Sequence, residues 1–132
     1  PMKVLDTDIL AALLRNKAEA MRKFKEMDAS GEIYLTTVFN AQELLFGASI
    51  SENRDENLKV SRELVESLEL LAYEKDGMQQ SAKVQIYLDR RGEHVGMLDE
   101  MIAGIVLAKD AAFVTRDVKH FSRIPNLKLE KW

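Results

Sequence analysis

The sequence predicts an α/β fold of three layers, α/β/α, with a short parallel central sheet of about five strands between helices. Three observations predict it. Short continuous apolar runs, the kind needed by a sheet buried on both faces, recur along the chain. Stretches with apolar residues at helical spacing separate those runs, which implies βαβ units. The 132 residues suit one domain, and with 2 prolines, 6 glycines and no repeat or Ser/Gly linker nothing marks a second. The domain is expected over residues 2–132; Pro1, ahead of Met2, is set aside as a remnant or a numbering artefact.

The elements follow in order. Lys3-Val4-Leu5 is a short buried strand that ends at Asp6. Residues 8–15 and 17–28 are helical, with Ile9, Leu10, Leu13 and Leu14 at helical spacing. Ser30-Gly31 signals a turn, and Ile33-Tyr34-Leu35-Thr36 is the second strand. Thr36 or Thr37 caps the next helix, whose apolar stripe is Val38, Ala41, Leu44, Leu45 and Ala48. Polar residues 51–56 lead into a helix ending near Leu68, and Leu70-Leu71-Ala72-Tyr73 is a third strand. A helix from about Asp76 to Arg91 is stopped by Gly92, and residues 93–98 form a loop. Asp99 opens a short helix to Lys109 that carries Met101, Ile102, Ile105 and Val106. Ala112-Phe113-Val114-Thr115 is the fourth strand, and Leu127-Lys128-Leu129, after the Pro125-Asn126 turn, is the fifth.

Composition narrows the function. With 46% hydrophobic and 31% charged residues, disorder is excluded. The absence of cysteine excludes disulfides, cysteine zinc sites and thiol nucleophiles. His94 and His120 alone supply imidazole, so a Ser-His-Asp hydrolase would need one of them. No apolar run spans a membrane and no signal-peptide pattern is present, so a cytoplasmic protein is expected. The net charge of −3, from 19 basic and 22 acidic side chains, argues mildly against a nucleic-acid partner. If a metal holds four carboxylates together, 22 − 4 = 18 acids face 19 bases and the rest of the surface is near neutral.

In parallel sheets, ligands bind beyond the carboxyl ends of the strands, near the switch point. Asp6 and Asp8 follow the first strand and Asp117 follows the fourth, so both groups fall on one rim. Glu43 lies about two turns into its helix, at the edge of the apolar stripe between Phe39 and Phe46. Asp99 is spaced to face the core. Carboxylates gathered in this way repel, and a hard divalent cation with oxygen ligands relieves the repulsion. Such a centre can activate water for in-line attack on a phosphodiester. Each acid also has a plain structural role open to it. Asp6 suits a turn, Asp99 a helix N-cap, Asp117 a short-turn cap and Glu43 a solvated edge. His94 and His120, both in turns, are expected at the surface rather than as ligands. Arg90, Arg91, Arg116, Lys119 and Arg123 should border the same rim, within reach of RNA phosphates or simply solvated.

These stretches carry a resemblance. Val4-Leu5-Asp6-Thr7-Asp8 is similar to the opening motif of a PIN domain, and 41–48 (Ala-Gln-Glu-Leu-Leu-Phe-Gly-Ala) to its second. Leu98-Asp99-Glu100-Met101-Ile102-Ala103-Gly104 resembles the third motif. Phe113-Val114-Thr115-Arg116-Asp117, continuing through 121–127, resembles the last. Spacing and length resemble the VapC group of ribonuclease toxins. The resemblance implies an endoribonuclease dependent on one or two Mg²⁺ or Mn²⁺ ions. It also implies a homodimer and inhibition by a cognate antitoxin peptide. It carries the catalytic and metal-holding roles onto Asp6, Glu43, Asp99 and Asp117, with Thr115, Thr7 and Asp8 in support. Arg116, Lys119 and Arg91 are the candidates for RNA contact. Two departures stand out: Asp8 where the family often has Asn, and Arg116 where it often has an amide.

The rivals share parts of this pattern. Asp6-Thr7-Asp8 after a strand fits a haloacid-dehalogenase-type phosphatase, but Lys109 precedes the fourth strand, Asp117 has no nearby acid partner and Glu43 would be idle. A non-catalytic PIN-like binding module is opposed by the presence of all four acids. A housekeeping RNA-processing nuclease would share the chemistry, and the short chain favours the toxin. An antitoxin would lay an amphipathic segment between helices and set a basic side chain against the acids.

Overall fold

The structure is a computed structural model that describes residues 2–15 and 17–132, and Pro1, set aside above, lies outside the described residues. Strand and helix alternate along it: β1 (Met2–Leu5), α1 (Thr7–Arg15), α2 (Lys17–Ala29), β2 (Ile33–Thr37), α3 (Val38–Ser49), α4 (Arg54–Ser67), β3 (Glu69–Leu71), α5 (Lys75–Arg91), α6 (Met97–Ala108), β4 (Ala112–Thr115), α7 (Val118–Phe121) and β5 (Lys128–Lys131). The five strands are all parallel, in the order β3-β2-β1-β4-β5. The three-layer α/β/α expectation is met.

Alternation along the central strands builds the layers. Val4 and Phe113 point to one face and join Leu88, Ile102, Ile105 and Val106 from α5 and α6. Their neighbours Leu5 and Val114 point to the other face and join Ile9, Leu10 and Leu13 of α1 and Leu44 of α3. A strand with period-two side chains can bury both sets only when helices cover both faces. Helices α5 and α6 approach closely: a Cβ built on Gly104 would stand 2.5 Å from the Gly77 carbonyl oxygen and 2.6 Å from Ser81 Cβ.

Local chemistry sets several boundaries. Thr37, not Thr36, caps α3, accepting the Asn40 N–H. Gly92, at φ 64°, ends α5, and the Glu93 N–H returns to the Leu88 carbonyl at 3.0 Å. Four expectations are corrected. Helix α6 begins at Met97 after Gly96, so Asp99 sits in the first turn and is not the cap. Strand β3 covers 69–71 rather than 70–73, and β5 covers 128–131 rather than 127–129, because pairing with β2 and β4 sets those limits. The turn expected around His120 closes into the single helical turn α7. No helix among the described residues is long and apolar enough to cross a membrane.

Candidate active site

The strand order places the switch point between β1 and β4, since the chain proceeds to β2 on one side of β1 and to β4 on the other. Leu5 pairs in register with Val114, and the Asp6 N–H extends that ladder to the Val114 carbonyl at 2.9 Å. Asp6 and Thr115 are therefore forced side by side at the carboxyl edge. The Thr115 hydroxyl donates to Asp6 Oδ2 at 2.7 Å and lies 3.5 Å from Asp8 Oδ2. It also accepts the Asp117 N–H at 3.1 Å, while the Arg116 N–H donates to Asp8 Oδ2 at 3.0 Å. One buried hydroxyl thus ties three acids from two strand ends.

The second flank comes from α3. Glu43 lies at the surface, and its Oε1 accepts the Thr7 hydroxyl at 2.9 Å. Phe46 is 64% exposed, so Glu43 stands at an open edge of α3. Fully buried Asn40 links this flank to the first. Its amide donates to Asp6 Oδ1 at 3.2 Å and to Thr7 Oγ1 at 3.0 Å, and its carbonyl accepts the Thr37 hydroxyl at 2.6 Å. Asn40 was not singled out from the sequence; a polar residue one turn after a capping threonine, on an otherwise apolar helix face, was the signal. Asn40→Ala is expected to lower stability by about 2 kcal/mol, because the Thr37 hydroxyl and the Asp6 carboxyl each lose a buried partner. Denaturant unfolding measures that loss directly.

The third flank is made by a residue that stays partly exposed, its side chain at 29%. His120, expected at the surface, places Nε2 2.9 Å from Asp99 Oδ2, and its backbone N–H reaches Asp117 Oδ1 at 3.4 Å. The helical turn α7 makes this possible by folding His120 back over the rim. His94 is half exposed, but its Nδ1 lies 2.8 Å from Oε1 of buried Glu100 and its Nε2 3.0 Å from Asp89 Oδ1. With a carboxylate on each nitrogen the ring is held toward the imidazolium form, its pKa raised first by Asp89 and then by Glu100.

The plain structural roles are present alongside. Asp6 accepts the Thr7 N–H at 2.8 Å, and Asp117 is the N-cap of α7. Asp99 forgoes its capping role. Arg91, expected on the rim, lies over the Tyr87 ring at 4.4 Å, one turn back in α5. Arg116 and Lys119 are exposed beside Asp117.

Electrostatics distinguish this cluster from a set of turn caps. Burial pushes the Asp6 carboxyl up to about 6, and the charges of Asp8 and Asp99 push the same way against the Thr115 and Thr7 hydrogen bonds. Asp8 Oδ1 is buried without a partner. An orphaned carboxylate oxygen beside a carboxyl that resists ionisation is the environment a cation relieves, and an all-oxygen donor set suits a hard divalent ion. Among the described residues no three acids or histidines stand at a common ligand distance; Thr7, Thr115 and His120 bridge them. The residues present fit such an ion chemically.

A PIN domain family model matches residues 3–127. The chain therefore belongs to the PIN-domain family. Within it, a tRNA(fMet)-specific endonuclease VapC of Salmonella typhimurium is 30% identical over 129 residues, covering 98% of this chain and 96% of that protein. The DNA-bound VapBC structure from Salmonella typhimurium has a TM-score of 0.88 at 29% identity, covering 99% of this chain and 98% of that one. VapBC2 from Rickettsia felis, bound to a promoter DNA fragment, gives 0.87 at 26% identity, covering 100% and 99%. The sequence resemblance to VapC is thus matched along the whole length of both chains.

Proposed function

We propose that the protein is the toxin of a VapBC-type pair, an endoribonuclease whose Asp6, Glu43, Asp99 and Asp117 hold one or two Mg²⁺ or Mn²⁺ ions. One observation supports this reading: a hydrogen-bond network through Thr7, Thr115 and His120 links the acids of all four motifs along the β1–β4 edge. A divalent ion there, when bound, supplies a water nucleophile at neutral pH and charge stabilisation for the leaving oxygen.

The chain's own groups orient that centre. Thr115 fixes the Asp6 carboxylate through Oδ2, and Asn40 fixes it through Oδ1, so its plane is set before any substrate arrives. Thr7 holds Glu43 against the same cluster. Arg116 and Lys119 stand on the open side, where phosphate oxygens approach.

The relatives' complexes support a protein partner, and a groove suits it. A cavity of about 450 Å³ is bounded by α1, α3 and α4, with Ala11, Leu14, Leu44 and Val60 along it and Thr7 and Glu43 at one end. An amphipathic antitoxin segment seated there would bring a basic side chain to the acids. Exposed Phe46 on α3, Ile50 at its C-cap and Met97 on α6 are apolar surface suited to the second copy of a homodimer.

The test is RNA cleavage by the purified chain in Mg²⁺, in Mn²⁺ and in EDTA, alone and with the antitoxin bound. Metal-dependent cleavage silenced by the antitoxin is expected. Cleavage unaffected by EDTA would defeat the metal assignment, and full activity in the complex would defeat the toxin assignment.

A further inference from the structure

We propose that the cavity between α1, α2 and the end of β5 is a nucleotide subsite for single-stranded RNA, which stacks a base on Trp132 and holds the adjoining phosphate with Arg15, Lys23 and Arg116. The inference rests on the nuclease reading above and extends it to a surface outside the acid cluster.

The cavity measures about 150 Å³, and Leu13, Arg15, Glu19, Lys23, Arg116 and Trp132 line it. Its position connects it to the acids twice. Arg116 stands between Thr115 and Asp117; its N–H is bonded to Asp8 at 3.0 Å while the residue lines the cavity. Helix α1 starts at the acids with Thr7 and ends at the cavity with Arg15, a run of roughly 12 Å at helical rise. A short single strand crossing the rim covers that distance.

The chemistry is that of a nucleotide. Trp132 packs on the Leu5–Leu10–Val114 cluster, so its indole is held in place, and Lys23 Nζ stands 4.2 Å from the ring centroid. The ammonium caps the ring, and a nucleotide supplies the complement of each group: a base takes the ammonium's place over the indole and the displaced Lys23 turns to the adjoining phosphate. Three cations surround one acid, Glu19, on a chain whose net charge is −3. Among the described residues Arg15, Lys23 and Arg116 stand in no ion pair, as is true of most of the cations described; what sets these three apart is that they line one cavity with an aromatic ring. Unstacked bases on aromatic rings are the usual means of reading single-stranded RNA.

Trp132 is the single tryptophan, so its emission reports this cavity alone. Short mixed-sequence single-stranded RNA is titrated into the full chain carrying Asp99→Asn, which leaves the RNA uncut. Quenching of Trp132 is expected, with Lys23→Gln weakening binding by about tenfold. In the active chain Lys23→Gln should raise KM about tenfold and leave kcat within about twofold. Trp132→Leu and Trp132→Phe carry no tryptophan and are read by KM instead: in the active chain Trp132→Leu, which keeps apolar packing, should raise KM by the same factor, and Trp132→Phe should restore it. RNA that is cut by the wild type with no change in Trp132 emission, and with wild-type KM for Lys23→Gln, overturns the subsite and leaves the nuclease standing. If the wild type cuts no RNA in any metal, the nuclease reading fails and the subsite with it.

Discussion

Replacing Asp99 with asparagine is expected to reduce RNA cleavage by roughly a thousandfold or more, the scale on which a preorganised charge at a reacting centre is felt. The fold should survive. Asn has the shape of Asp, its carbonyl can still face His120, and the position is half-buried in the first turn of α6. Two small effects on stability oppose each other. A negative charge near a helix N-terminus stabilises by about 0.3–1 kcal/mol and is lost. The repulsion that Asp99 exerts on Asp6 is lost as well. Net stability should change by less than about 1 kcal/mol. Steady-state cleavage and thermal unfolding of the same preparation separate the two readouts. Near wild-type cleavage by Asp99→Asn would remove this residue from the proposed centre.

The largest stability effect is expected far from the acids, at Gly104. Alanine there is favoured by helix propensity by about 1 kcal/mol. The gain is overwhelmed by contact. The added methyl would stand 2.5 Å from the Gly77 carbonyl oxygen, 2.6 Å from Ser81 Cβ and 2.8 Å from the Ser81 nitrogen. Two of these are backbone atoms of α5, so no side chain can rotate away. The helices must separate, and Ile102, Ile105 and Val106 lose packing against Val84 and Leu88. A net loss of about 3 kcal/mol or more is expected, at the upper end for overpacking. Denaturant midpoints for Gly104→Ala measure it. Gly47→Ala, where a Cβ meets nothing within 4 Å, is the control expected to be neutral or slightly stabilising.

These two residues show what was legible in the sequence. The strand runs, the helical spacing and the acids at strand ends specify the layers and the rim, because parallel sheets and their switch points follow short-range patterns. Asp6 and Thr115 could be placed on one edge by counting from strand ends. The bridging groups could not. Asn40 matters because α3 packs across the sheet and buries it beside Asp6, and His120 because α7 turns it back toward Asp99. Both depend on tertiary placement that periodicity does not carry. The contact of Arg91 with Tyr87 is likewise a matter of side-chain placement that the spacing does not carry. Gly104 looked like part of a motif, but its steric role appears only when the approach of α5 is known.

The central claim is that these carboxylates form the seat of a divalent ion, and thermal unfolding against pH and Mn²⁺ tests it most directly. Asp6 binds its proton more tightly when folded, with a pKa of about 6 against an ordinary 3.8. Its contribution to stability is therefore fully present below about pH 4 and lost as pH rises through about 6. His94, also raised, contributes with the same sign, so Asp6→Asn is run beside the wild type to isolate the acid. In EDTA the wild type should lose more stability than Asp6→Asn between pH 5 and pH 7.5. Mn²⁺ should restore it at pH 7.5, do little at pH 5 where protons compete, and do little to Asp6→Asn at either. A melting temperature indifferent to Mn²⁺ at pH 7.5, or one raised equally in Asp6→Asn, would contradict the account.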